Sequence, residues 1–112
     1  LPFVPLVKGL GVDVVFGVDP IEGGWDLPRA KAELGDTVCL WGGVNGYLTL
    51  ADGTPEDVDR AVHRAMETLA PGGRFILSAV DDVRVDRPEG EGSWERTWEN
   101  VRRMADAWRS LR

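Results

Sequence analysis

Three polar side chains that can do chemistry lie just beyond three apolar runs of the sequence. Asp19 follows the first run, Asn45 the second and Asp81 the third. A carboxylate at the end of a buried strand is costly to desolvate unless it binds a ligand, caps a turn or reaches water. The functional interpretation is that the three residues line one pocket, with Asp81 and Asp19 as the catalytic candidates. The alternative is that Asp19 caps the turn before Pro20, while Asp81 and Asp82 are solvated loop acids.

The three runs predict strands of a parallel sheet. They are rich in β-branched residues and alternate little between apolar and polar, which is typical of strands covered on both faces. Helical patterns separate them, so the predicted order is βαβαβα with parallel strands and right-handed crossovers. In open α/β sheets and in (β/α)8 barrels, ligands bind at the edge where the carboxyl ends of the strands meet. The runs are residues 12–18, 37–41 and 74–80.

Capping signals predict where the helices begin. Thr54 and Asp57, with Pro55 between them, are typical of an N-cap, a capping box and a proline in the first helical turn. Asp26 is expected to cap a shorter helix earlier in the chain. Residues 1–10 are expected to be the last turns of a helix.

The last helix carries aromatic residues and charges on different faces. We expect its tryptophans to be core anchors, and its outer face to carry ion pairs between residues four apart. The tryptophans are Trp94, Trp98 and Trp108, and the expected pairs are Glu99 with Arg103 and Arg102 with Asp106.

Further candidates near the second and third strand ends are expected to contact a substrate. They are Trp41, Gly42, Gly43, Ser78 and Arg84. Residues 42–46 lack the glycine spacing of a dinucleotide loop and the lysine of a phosphate loop. This favours glycines placed where a strand turns out of a crowded sheet edge. Trp41 and Trp25 flank turns, and either form the wall of a flat apolar site or fill the core.

Composition excludes several classes of protein. With 13 basic and 19 acidic residues, the net charge of -6 argues against a general nucleic-acid or membrane-surface binder. The 112 residues are 43% hydrophobic and 29% charged, so we expect one globular domain over 1–112. Cys39 and His63 are the only Cys and His, so no zinc site and no other metal is expected, although Asp81 and Asp82 leave a hard cation as an alternative. The single thiol and the lack of any apolar run near ~20 residues favour a cytoplasmic protein.

An ordered set of short segments resembles a known family. Individually the segments are weak signals, but their order and spacing over about residues 1–90 resemble the C-terminal half of uroporphyrinogen decarboxylase and its relatives, which include the corrinoid methyltransferases. The segments are residues 11–15, Asp19, and residues 27–36, 38–46, 54–57 and 73–78.

The resemblance implies a fold and an activity. The fold is a (β/α)8 TIM barrel, of which this chain is the C-terminal portion: the last three βα units and the tail of an earlier helix. The activity is decarboxylation of acetate side chains on a tetrapyrrole in porphyrin biosynthesis, without a cofactor. A pyrrole ring is protonated and draws electrons from the departing carboxylate, and Asp81 would balance the ring's positive charge. Arg84 and Arg87 are the nearest candidates to bind the substrate's carboxylates.

Departures from the family pattern keep other interpretations open. After the third strand the decarboxylases have Gly-His-Gly with an active-site histidine, whereas this chain has Val80, Asp81 and Asp82. The methyltransferases have a zinc-binding cysteine at about that place. One alternative is therefore a methyltransferase that acts with a corrinoid protein. Another is a non-catalytic half-barrel that binds a ligand, forms a homodimer through its strand edges or joins the remainder of a barrel. The segment alone is expected to be inactive.

Overall fold

The computed structural model describes residues 3–83 and 93–112, which fold as alternating helices and parallel strands. A short first helix precedes three strands, and a helix follows each strand. A six-residue π-helical segment, Gly46–Ala51, lies between the second strand and its helix. The elements are α1 (Val4–Leu10), β1 (Val14–Val18), α2 (Leu27–Leu34), β2 (Cys39–Asn45), α3 (Pro55–Leu69), β3 (Phe75–Val80) and α4 (Trp94–Leu111).

The sheet has the order β1-β2-β3, and both strand pairs are parallel, as the three apolar runs predicted. Phe16, Trp41 and Ile76 are register partners and form one row across the three strands. The β1–β2 register shifts between Phe16 and Val18, where Gly17 has a φ of 93°. Such a bulge bends the strand and redirects the side chains beyond it. It immediately precedes the end of β1.

The predicted helix caps are confirmed. Thr54 Oγ1 accepts a hydrogen bond from the Asp57 amide at 3.1 Å, and Asp57 Oδ2 accepts one from the Thr54 amide at 2.9 Å. These two bonds satisfy amides that the first helical turn leaves unpaired. Hydrogen bonds from the Thr54 backbone amide and the Thr54 side chain lower the pKa of the Asp57 carboxyl, because they favour its ionised form. Asp26 caps α2 in the same way, accepting from the Arg29 amide at 3.0 Å.

The helices cover one face of the sheet and leave the other largely bare. Leu34 of α2 and Leu40 of β2 are fully buried in one apolar cluster, and Val58 and Val62 of α3 are fully buried in a second. On the opposite face, the row of Phe16, Trp41 and Ile76 is 60%, 38% and 43% exposed. We call this row the bare-face row. A sheet face with three large apolar side chains in register needs a further covering layer.

Strand β2 is longer than the apolar run predicted, because Gly42 and Gly43 lie within it. A Cβ atom at Gly42 would lie 2.6 Å from the Val18 carbonyl oxygen, and one at Gly43 would lie 2.9 Å from Cβ of Ala65 on α3. These two glycines therefore allow close packing of β2 against β1 and α3. Glycine in a strand interior often marks such a close approach.

The expected roles of two tryptophans in α4 were wrong. Trp94 and Trp98 are 61% and 44% exposed and stack on each other with ring centroids 5.8 Å apart. Trp108 is partly buried and packs with the second apolar cluster. The helical spacing placed the tryptophans on one face, but the residues of α4 that pack in the second apolar cluster begin at Val101, after Trp94 and Trp98.

The expected ion pairs on α4 were also wrong. Arg103 reaches across to α3 and donates to both carboxylate oxygens of Asp59, at 2.8 and 2.6 Å, and Asp106 pairs with Arg109 at 3.0 Å. Arg103 holds the pKa of the Asp59 carboxyl below its usual range. The ion pair of Asp59 with Arg103 therefore stabilises the fold at pH values above the pKa that Asp59 has in the unfolded chain. This contribution is lost as the pH falls through the lower pKa that Asp59 has in the folded chain.

None of the helices in residues 3–83 and 93–112 has both the length and the apolar character needed to cross a bilayer.

The close packing at Gly43 leads to a prediction with a matched control. Gly43 and Gly17 have similar positive φ values, 100° and 93°, so alanine at either position is strained by about 1–3 kcal/mol. Nothing lies within 4 Å of a Cβ at Gly17. We expect Gly43→Ala to lower the free energy of unfolding by about 1–3 kcal/mol more than Gly17→Ala, because only the former overpacks the α3 interface. Urea unfolding monitored by circular dichroism measures the difference, and equal losses would contradict it.

Candidate functional site

The side chain of Asn45 connects the carboxyl ends of β1 and β2. Asn45 is 1% exposed, and its Nδ2 donates to Asp19 Oδ2 at 2.9 Å and to Glu22 Oε2 at 3.3 Å. Its Oδ1 accepts from the Leu48 amide at 2.6 Å and so caps the π-helical segment. All three bonds of this buried amide are directed at groups beyond the strand ends. Asn45 is thus the link between the tip of β1 and the segment after β2.

Asp19 organises the loop after β1 while its carboxylate contacts Asn45. Asp19 is 2% exposed, and its Oδ1 accepts from the Ile21 amide at 2.9 Å and its Oδ2 from the Gly23 amide at 3.1 Å. Its carbonyl oxygen accepts from the Trp25 amide at 3.0 Å. Asp19 therefore caps the turn after β1, as one interpretation of the sequence predicted, and its carboxylate also contacts Asn45 at the end of β2.

Asp81 joins this group from the end of β3. The carboxylates of Asp19, Glu22 and Asp81 each place an oxygen within 4.8 Å of the others. We call these three residues with Asn45 the strand-end cluster. Gly46 permits the close approach of β2 and β3 here, because a Cβ at that position would lie 2.6 Å from the Val80 carbonyl oxygen.

Asp81 differs from Asp19 in its exposure and in its backbone. Asp81 is exposed and has a φ of 64°, a left-handed conformation that costs most residues energy and that Asn and Asp adopt more readily. The carboxylate of Asp19 accepts three hydrogen bonds and is buried, whereas Asp81 is exposed at the strand end. A strained residue held at a strand end is a common feature of functional sites.

The electrostatics of the strand-end cluster favour a cation. Three carboxylates converge, and among the ion pairs within residues 3–83 and 93–112 none brings an Arg or Lys to Asp19, Glu22 or Asp81. Converging carboxylates lower the energy of a positive charge placed beside them. The arrangement fits either a cationic organic group or a hard cation, which prefers oxygen ligands.

The remaining candidates lie farther back along the strands. Trp41 is mid-strand in the bare-face row, with its ring 5.2 Å from that of Phe16 in an edge-on arrangement. Gly42 and Gly43 are buried in β2, where the structure uses them for packing. The half-buried Ser78 donates its hydroxyl to the Ala79 carbonyl oxygen at 3.0 Å.

Two further predictions concern Arg84 with Arg87, and Trp25. Arg84 and Arg87 lie outside the described residues. Trp25 fills the core, being 6% exposed and packed edge-on against Phe3 at 4.9 Å, so it does not form the wall of a site.

Sequence reasoning did not place Glu22 in the cluster. The hydrogen bonds of Asp19 fold the loop back so that Glu22 reaches Asn45, and Gly23 fits close to Asp19, where a Cβ would lie 2.9 Å from its carbonyl oxygen. The available signal was the sequence Asp-Pro-Ile-Glu-Gly-Gly, since an acid followed by proline and glycines is typical of a tight turn.

Three parallel βα units with a polar cluster at the carboxyl ends of their strands define an α/β protein of the barrel or open-sheet class. The comparison with protein families makes this specific. The family described as Uroporphyrinogen decarboxylase (URO-D) matches residues 1–109, and the chain belongs to this family. The three-stranded sheet is accordingly part of a TIM barrel. Among curated proteins, none matches the chain.

The charge of the strand-end cluster leads to a prediction for Asn45. Asn45→Asp keeps the shape and the acceptor for the Leu48 amide, but it replaces the donor to Asp19 and Glu22 by a fourth carboxylate. We expect the free energy of unfolding to fall by roughly 3–5 kcal/mol at pH 7, because a buried charge is left uncompensated. The loss should shrink at acidic pH, since protonation of one carboxyl relieves the repulsion.

The double variant Asn45→Asp with Asp19→Asn is the control, because it restores one amide facing one carboxylate. Urea unfolding at pH 7 and pH 4 measures all three proteins. A loss that is independent of pH, or that the second substitution does not reduce, would contradict the electrostatic explanation.

Proposed function

We propose that the chain contributes the strand-end cluster of a barrel that removes carboxyl groups from the acetate side chains of a tetrapyrrole. The observation that supports this proposal is the convergence of Asp19, Asn45 and Asp81 from three successive strand ends in a member of the URO-D family. The carboxyl ends of the strands are where barrel enzymes hold their substrates.

The chemistry of the reaction calls for negative charge at the site. Protonation of a pyrrole ring gives a cation, the bond between the acetate methylene and its carboxylate then breaks, and carbon dioxide leaves. The electron pair of that bond neutralises the ring, which still holds the added proton. The methylene carbon then takes up a proton to become a methyl group, and the ring loses the proton that it gained in the first step. A carboxylate beside the ring stabilises the cationic stage more than the neutral stages, and this difference accelerates the reaction.

Asp81 and Asp19 take different parts in this mechanism. Asp81 is exposed at the strand end, so its carboxylate contacts the protonated ring. Asp19 is buried among backbone amides and Asn45, and its charge acts on the ring from behind Asp81. Asn45 keeps the carboxylates of Asp19 and Glu22 at a fixed separation by donating to both.

The rest of the substrate site is proposed from the sheet and from residues beyond it. Trp41 in the bare-face row offers an aromatic face to a flat macrocycle, with Gly42, Gly43 and Ser78 along the same strands. The substrate's own carboxylates need cations, which the strand-end cluster does not supply. We assign that role to Arg84 and to side chains from the remainder of the barrel.

We further propose that residues 1–112 form one unit of the barrel, its C-terminal segment. The bare-face row supports this assignment, because layers of inward-pointing side chains, contributed by all the strands, fill the interior of a barrel. The rest of the barrel would close around the space in front of the bare-face row and pair with the outer edges of β1 and β3.

The positions of Cys39 and His63 give less support to methyl transfer to a thiol than the strand-end cluster gives to decarboxylation. Cys39 is the first residue of β2 and therefore lies at the end of the sheet away from the strand-end cluster. His63 is exposed on α3, where its Nδ1 lies 2.8 Å from the Asp59 carbonyl oxygen. Neither residue is placed to bind a zinc ion beside the strand-end carboxylates.

Binding of a porphyrin by the 112-residue chain is the first test. We expect titration of the chain into uroporphyrin to shift its main absorbance band and to quench tryptophan fluorescence, because Trp41 lies on the proposed contact face. A corrinoid, titrated in the same way, should give no saturable change. Saturable binding of the corrinoid and none of the porphyrin would favour the methyltransferase alternative and contradict decarboxylation.

The electrostatic role of Asp81 gives a second test on the same complex. A porphyrin changes its absorbance spectrum when its ring nitrogens are protonated. We expect the pH at which bound uroporphyrin is protonated to be about one unit higher than that of the free porphyrin, which corresponds to ~1.4 kcal/mol of preference for the cation. Asp81→Asn should remove most of this shift with little loss of stability, since asparagine keeps the backbone conformation at φ 64°.

Asp13→Asn is the matched control. It removes the same charge from an exposed aspartate just before β1, at the opposite end of that strand. It should leave the protonation of bound porphyrin unchanged. Equal effects of the two variants would show that only net charge matters and would overturn the role of Asp81. A large drop in melting temperature for Asp81→Asn would assign the residue a structural role.

A further inference from the structure

Asn100 of α4 is a fully buried amide that reaches the end of the π-helical segment. Its Nδ2 donates to the Leu50 carbonyl oxygen at 3.0 Å and to the Gly53 carbonyl oxygen at 2.8 Å. Both partners are carbonyl oxygens, so the nitrogen must face them, and the orientation of the amide is fixed. The far end of the segment is thereby tied to α4.

The near end of the same segment is tied by Asn45. Asn45 Oδ1 accepts from the Leu48 amide, and the segment's own bonds include those from the Asp52 amide to the Tyr47 carbonyl oxygen at 3.0 Å and from the Gly53 amide to the Thr49 carbonyl oxygen at 3.1 Å. A π-helix is rare, short and often found at functional sites. With only six residues it depends on restraints at its two ends, here two asparagine side chains.

The side chain of Asn100 buries an oxygen at an energetic cost, and this cost indicates which part of the amide is useful. Within the described part of the chain, Asn100 Oδ1 has no hydrogen-bond partner although it is buried. A leucine of similar size would fill the space without burying that oxygen. The contribution of the amide therefore lies in its two donated bonds, which pair carbonyl groups that would otherwise be buried without donors.

We propose that Asn100 is a positioning residue for the strand-end cluster. It acts through the π-helical segment on Asn45, whose Nδ2 in turn holds Asp19 and Glu22. When the bonds to Leu50 and Gly53 are lost, the segment loosens as a unit and Asn45 loses its fixed position. The consequence for catalysis rests on the proposed function, whereas the structural coupling does not.

Amide hydrogen exchange tests the coupling directly. In Asn100→Leu we expect exchange at the Leu48 amide to speed up at least about tenfold more than exchange at the Leu40 amide in β2, which reports on the sheet. The two side-chain NH2 signals of Asn45 should move in the same variant. Exchange at Leu48 and Leu40 that accelerates by the same factor would overturn the proposal, because Asn100 would then act only on global stability.

Thr97→Val is the matched control. Thr97 lies one turn before Asn100 on α4, is 2% exposed, and its hydroxyl has no hydrogen-bond partner in the described part of the chain. Valine keeps its shape and removes only the hydroxyl. The ratio of exchange at Leu48 to exchange at Leu40 should stay as in the unmodified chain, and a change equal to that of Asn100→Leu would overturn the proposal.

The unmodified chain provides a test that needs no variant to fold. With increasing urea, the amides of Leu48, Asp52 and Gly53 should exchange through one common opening that is separate from that of Leu40. Independent openings at Leu48 and Gly53 would contradict coupling between the two ends of the segment. These measurements use no ligand, so a failure to bind porphyrin would sink the proposed function and leave this result intact.

Discussion

The hydrogen bonds of one buried amide hold the candidate site together. Asn45 lies at the end of the central strand, where it donates to the carboxylates of Asp19 and Glu22 and accepts from the Leu48 amide. Carboxylates this close to one another repel, and a shared donor is what offsets the repulsion. A carboxylate at position 45 could not donate, and an apolar residue would leave a buried acid without this partner. Asn45 therefore links the loop after β1, which Asp19 organises, to the near end of the π-helical segment.

Asn45 can occupy this place because β2 is the middle strand and is packed closely on both sides. Gly42 and Gly46 remove the Cβ atoms that would otherwise collide with Val18 and Val80 of the neighbouring strands. The three strand tips are thus brought closer than side chains at these positions would permit. The same sheet keeps its other face bare, with Phe16, Trp41 and Ile76 in register, as expected of strands whose inner face points into a barrel.

Much of this arrangement could be predicted from local patterns. Three β-branched runs separated by helical patterns implied parallel strands, and parallel strands bring Asp19, Asn45 and Asp81 to one edge. Thr54 and Asp57 identified the start of α3, because a capping box is a local interaction between residues three apart. These features depend on short-range rules.

Features that depend on neighbours far away in the chain could not be predicted. Gly42 and Gly43 looked like the end of a strand, since only the positions of Val18 and Ala65 show why glycines belong inside it. Arg103 had an acid four residues earlier in its own helix, yet it pairs with Asp59 of α3. The hydrogen bonds from Asn100 to Leu50 and Gly53 join residues about fifty positions apart, and no local sequence pattern predicts them.

The sign of the charge at the strand-end cluster limits what the cluster can do in the proposed reaction. A tetrapyrrole with several carboxylates is an anion, so Asp19, Glu22 and Asp81 cannot contribute to its attraction, and cations elsewhere must bind it. These carboxylates stabilise the substrate only at the stage at which a pyrrole ring is protonated and carries a positive charge. Groups that act on the cationic stage and oppose the neutral one raise the rate without tightening ground-state binding. In the proposed mechanism, cations elsewhere in the barrel therefore bind the substrate's carboxylates, and the strand-end cluster stabilises the protonated ring.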